Sequence, residues 1–139
     1  MKLLLHGLMM AGLLSVVGFS SAAKANDIAP GSIWTNQLNS VLAIKTVGSD
    51  GSVTGTFTTH DQDPNACGSG VPHPMTGWYN KGAFTFTVNF EKCASATAWA
   101  GQVDPKARNF VALWHLVLSG RPSFRGTWAG ADTFTPRIP

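Results

Sequence analysis

The 139-residue chain is poor in charge. Lys, Arg, Asp and Glu together make up 12% of it, and this scarcity removes several classes of function. The formal charge is +3, and Lys2 and Lys24 carry two of those positive charges. The other bases are scattered, with no run that could follow a phosphate backbone, so a nucleic-acid partner is not expected. Acids are no more plentiful, and Glu91 is the single glutamate. No two carboxylates are paired for acid–base work, and neither Gly-x-Ser-x-Gly nor His-Glu-x-x-His occurs. The chain therefore reads as a non-enzyme that needs no cofactor. Cysteine is confined to Cys67 and Cys93. No Cys-x-x-Cys and no His pair at ligand spacing occurs, which argues against zinc. Beyond residue 25 no stretch carries a helical period, so an all-α fold is excluded.

The first 25 residues have a different character. Met1-Lys2 opens them, Leu3-Leu4-Leu5 and Leu8-Met9-Met10 lead into Val16-Val17-Gly18-Phe19, and Ala23-Lys24-Ala25 closes them. A positive start, an apolar middle and a small-residue site together read as a secretory signal peptide over 1–25. A membrane anchor is the alternative. The run is broken by His6 and falls short of the ~20 apolar residues a span needs, so no membrane partner is expected. The mature chain, 26–139, is sized for one domain, secreted or periplasmic. Export permits a disulfide, and two cysteines allow one internal pairing, with free thiols or a bridge between chains as the alternatives.

The mature chain reads as a series of short strands. They are expected at 32–36, 40–46, 52–59, 75–80, 84–90, 95–103, 110–119 and 124–135. Asp50-Gly51 and Lys81-Gly82 mark tight turns. Val53, Gly55, Phe57 and Thr59 alternate with Thr54, Thr56 and Thr58, and Phe84, Phe86, Val88 and Phe90 share a face. Between them 60–74 holds Pro64, Pro72, Pro74, Gly68 and Gly70 and reads as a long loop. Eight consecutive strands with short connections imply an all-β fold, an eight-stranded antiparallel up-and-down β-barrel with room for one small ligand. A β-sandwich is the alternative. Five Trp in a small exported domain are there to pack or to grip a ligand.

Five motifs, in order, resemble the avidin/streptavidin family. They are Gly31-Ser32-Ile33-Trp34-Thr35-Asn36-Gln37-Leu38-Asn39-Ser40, Gly51-Ser52-Val53-Thr54-Gly55-Thr56-Phe57, Thr76-Gly77-Trp78-Tyr79, Ser95-Ala96-Thr97-Ala98-Trp99-Ala100-Gly101-Gln102, and Gly130-Ala131-Asp132-Thr133-Phe134. Up-and-down barrels of eight strands are the architecture of that family, so the resemblance and the strand count are not independent. It implies binding of biotin as a ligand, with a role in sequestering it outside the cytoplasm.

Carried over residue by residue, the resemblance places Asn36 and Ser40 as donors to the ureido oxygen. Thr59 and Asp132 would accept the two ureido N–H groups. Thr97 would meet the sulfur and Ser95 the carboxylate tail. Phe90, Trp99 and Trp114 would box the ring, with Leu116 beside them. Without the resemblance, Asn36 and Ser40 read sooner as turn residues satisfying backbone groups than as ligand donors. Ser95, Thr97 and Trp99 are in phase on one face, which a purely structural strand would not ordinarily show. Phe57 stands where the family carries a Tyr hydroxyl, and the missing bond would cost about 1–3 kcal/mol. A Cys67–Cys93 bridge closing about 26 residues would contribute about 3–4 kcal/mol and pin a loop whose N–H groups near Asn65 and Ala66 would meet the carboxylate.

Phe124 stands where tetrameric relatives insert a Trp into a neighbour. With the loop cysteines, this resembles the dimeric, rhizavidin-like bacterial avidins and implies a homodimer. The outer face of the seventh strand, Val111, Leu113, His115 and Val117, would be covered by the second barrel. A lipocalin-like carrier of another small apolar ligand is the competing function. It would not require Asn36, Ser40, Thr59 and Asp132 to converge.

Overall fold

The computed structural model describes residues 27–60, 67–106 and 108–137. The expected signal peptide, and Asn65 and Ala66, lie outside the described residues. Eight strands follow in chain order: β1 Ile33–Asn36, β2 Val41–Val47, β3 Ser52–Thr58, β4 Pro72–Asn80, β5 Ala83–Phe90, β6 Ser95–Asp104, β7 Asn109–Leu118 and β8 Thr127–Pro136. Each is antiparallel to the next, and β8 returns to β1 through Trp34↔Pro136, Thr35↔Thr135 and Asn36↔Phe134. The sheet is a closed barrel, so it has no free edge to pair with another chain. A sandwich is ruled out by this closure.

Alternation drives the closure. On β5, Phe84, Phe86, Val88 and Phe90 are buried while Ala83, Thr85, Thr87 and Asn89 face out. On β6, Ser95, Thr97, Trp99 and Val103 are buried and Ala96, Ala98 and Ala100 are exposed. Each large side chain taken inside is worth about 1.5–3 kcal/mol. One end of the barrel is filled by aromatic rings. Phe110 stacks on Phe134 at 4.4 Å, and Trp34 and Phe84 meet Phe110 edge-on at 5.2 and 5.5 Å. Phe86 touches this plug through Phe134 and stacks on Trp99 from the other side at 4.6 Å. The plug is the floor on which the open end rests.

The tight turns follow from local chemistry. Lys81 and Gly82 both have positive φ, 47° and 98°, the backbone of a two-residue hairpin turn whose twist matches the flanking strands. Gly101, in phase with Trp99, passes so close to β7 that a Cβ would lie 2.1 Å from the Val111 carbonyl oxygen.

Two boundaries differ from the sequence expectation. β4 starts at Pro72, within the stretch read as a loop, and pairs there with β3 through Pro72↔Thr58, His73↔Phe57 and Pro74↔Thr56. Pairing with β5 begins only at Met75. Two prolines spaced by two turn their missing N–H groups the same way, and here one side of the strand has no partner to disappoint. β8 starts at Thr127, not Phe124. Residues Ser123–Gly126 form a 3-10 turn after Pro122, because β7 ends at Leu118 and the last β7–β8 pair is Val117↔Thr127.

Candidate ligand-binding site

Opposite the aromatic plug the barrel holds a cavity of about 240 Å³. Ten of the residues expected at the site line it. They are Asn36, Ser40, Phe57, Thr59, Phe90, Thr97, Trp99, Trp114, Leu116 and Asp132.

The β1–β2 turn decides what the polar end presents. The backbone N–H groups of Leu38 and Ser40 donate to Asn36 Oδ1 at 3.0 and 2.8 Å. The carboxamide oxygen is thereby held in the turn, and the Nδ2 hydrogens remain as donors. The backbone N–H of His60 donates to Ser40 Oγ at 3.0 Å, which leaves the Ser40 O–H as a second donor. Turn satisfaction and ligand donation, alternatives in the sequence, use different atoms of the same side chains. Such fixed donors suit a polarised carbonyl oxygen, because they need no reorganisation to meet it.

Asp132, 5% exposed, lines the same cavity from β8, the strand paired with β1. Gln37 Nε2 donates to Asp132 Oδ1 at 2.9 Å and Trp99 Nε1 donates to Oδ2 at 2.8 Å. Gln37 is itself braced, since the Thr133 N–H donates to its Oε1 at 2.9 Å and its Nε2 also reaches the Ala131 carbonyl at 3.3 Å. A carboxylate accepts at about four lone-pair positions, so Asp132 is fixed on two sides and still has acceptor capacity. Thr97 Oγ1 is buried with no hydrogen-bond partner, an orphan of the kind a ligand satisfies.

The walls are aromatic. Trp99, Phe86 and Phe57 form a mutually contacting trio, with Phe86 stacked on the indole and the Phe57 ring 4.8 Å from it. Phe57 thus supplies shape and no hydroxyl. Trp114 faces Trp99 across β6–β7 and lies over Gly130, where a Cβ would come within 2.5 Å of the indole. Phe90 meets His73 edge-on at 4.8 Å. Beside it Cys67 and Cys93 form a disulfide, with Cα atoms 5.6 Å apart, so the internal pairing is the one adopted. Gly68, next to Cys67, packs against Phe90 and the Cys93 sulfur.

Ser95 is buried at the start of β6, opposite Phe90 and Leu118, outside the cavity lining. Three residues were not anticipated: Gln37, which braces Asp132, and Leu38 and Trp128, which line the mouth. Trp128 is in phase with Gly130 and Asp132 on β8, a two-residue periodicity that would have revealed it.

The family model described as the Avidin family matches residues 24–137. The chain belongs to the avidin family. It is 32% identical to avidin-related protein 4/5 of Gallus gallus over 133 residues, covering 88% of this chain and 87% of that one. Among solved structures, core-bradavidin superposes with a TM-score of 0.67 at 43% identity, covering 76% of this chain and 98% of its own. The bradavidin2–biotin complex superposes with a TM-score of 0.68 at 29% identity, covering 78% and 98%. In this avidin-family barrel the donors at the first turn, the braced carboxylate and the aromatic walls all open into one cavity.

Proposed function

We propose that the barrel binds biotin in this cavity, without catalysis, and sequesters it outside the cytoplasm after removal of residues 1–25. One observation carries the reading: two donors whose own oxygens are already occupied share one cavity with a braced carboxylate and a set of aromatic walls. A cyclic urea asks for that set, with donors at its oxygen, acceptors at its two N–H groups, and apolar walls around the fused ring. Asn36 and Ser40 take the oxygen, Asp132 and Thr59 take the N–H groups, and Thr97 takes the ring sulfur. Family membership and the biotin held by bradavidin2 support biotin as the ligand. A carrier for a purely apolar ligand has no use for the polar end.

Calorimetric titration tests it. Biotin should bind one to one, with a Kd of about nanomolar or tighter, and shift the Trp fluorescence. Asp132→Ala should lose about 1.5–3 kcal/mol, the usual worth of a hydrogen bond to a charged group, with the barrel intact by circular dichroism. No heat and no fluorescence change at micromolar protein overturn the assignment.

A further inference from the structure

Among the described lining residues the one charged group lies towards one end of the cavity. Asp132 lies deep, opposite Ala112, and Trp128 lies four residues nearer the mouth, opposite Leu116. At about 3.3 Å per residue this separates them by about 13 Å along the strand. Between them the wall is Gly130, covered by the Trp114 indole. At the mouth Trp128 and Leu38 are 58% and 49% exposed, although both line the cavity. A large indole left half in water at the rim of a binding site has apolar surface still to cover. The cavity-lining residues among those described include no base; Asp132 is their single ionisable side chain. Whatever leaves the Asp132 end towards solvent therefore passes the apolar surfaces of Trp128 and Leu38.

We propose that Trp128 is a specificity-determining residue, an indole supplied by the chain's own β8 that packs on the aliphatic chain of the ligand. The proposal rests on the biotin reading, which places the ureido ring at Asp132 and sends the carbon chain towards Trp128. The contact is apolar and indifferent to the charge of the chain's end. It serves biotin and an amide of biotin alike, and it does nothing for the bicyclic head alone.

The test compares three ligands on the full mature chain: biotin, biotinamide, and the bicyclic ring system lacking the chain. Each is titrated into the wild type, Trp128→Ala and Trp128→Phe, with sizing of every variant. Loss of about 50–60 Å² of apolar contact corresponds to about a tenfold weakening. Trp128→Ala should weaken biotin and biotinamide by about that factor, leave the chainless head within about twofold, and be largely rescued by Phe. Equal weakening of all three ligands, or a change in oligomeric state accompanying it, assigns Trp128 a structural or subunit-contact role and overturns the proposal. Unchanged affinity for the chain-bearing ligands also overturns it. Failure of the wild type to bind any of the three overturns the biotin reading itself.

Discussion

Asn36 and Ser40 show what single residues disclose in a sequence and what they do not. Their types and spacing marked them as turn residues or ligand donors. Which of their atoms are spare became visible only with the partners in place, because the Leu38, Ser40 and His60 N–H groups occupy the oxygens. Gln37 was invisible for a plainer reason: its partners are 94 to 96 residues away, and nothing local announces them. Tyr79 offers a test at the same scale. Its hydroxyl donates to Asp27 Oδ1 at 2.5 Å. Burial, followed by that bond and the charge of Asp27, pushes its pKa up to about 12, against about 10 in an unfolded chain. A raised pKa favours the protonated fold. The contribution is complete below about pH 10 and is lost as the pH rises towards 12. Tyr79 is the single tyrosine of the chain, so phenolate absorbance reports it alone. The native midpoint should lie near 12, and Tyr79→Phe should flatten that part of the stability profile. A midpoint near 10 would contradict the bond.

Elements were more legible than residues. β6 could be read almost completely, because Ser95, Thr97 and Trp99 alternate with three alanines and the structure buries the first set. The start of β4 could not, since two prolines ordinarily exclude a strand and are tolerated here only where β5 has not yet joined. The start of β8 was misread because the apolar pattern near Phe124 says nothing about where β7 stops offering partners; the Phe124 side chain lies outside the described residues. The β7–β8 pair also shapes the site, through the contact of Trp114 with Gly130. Gly130→Ala should push the indole aside, cost about 1–3 kcal/mol of stability as overpacking does, and weaken biotin on the order of tenfold or more. Thermal unfolding and titration measure the two effects separately. Full affinity in that variant would show that Trp114 is not held by this contact.

The molecule as a whole leaves one face unaccounted for. Val111, Leu113 and Val117 on the outside of β7 are 49%, 61% and 52% exposed, with His115 among them. We propose that a second copy covers this row. The mature protein should run at twice the mass of one chain in sizing with light scattering, and Leu113→Glu should halve it; a monomer or a stable tetramer at micromolar concentration argues against the dimer. The interior carries a different consequence. With Trp34, Phe84 and Phe134 packed around Phe110 at one end, the described residues make the barrel a blind tube. On the proposed reading the vitamin goes in head first and must back out the way it came, with no solvent arriving from behind to loosen it. Its carboxyl end always faces the doorway. A macromolecule hung on that end would stay wholly in the surrounding fluid, and the barrel would hold a tethered biotin as it holds a free one.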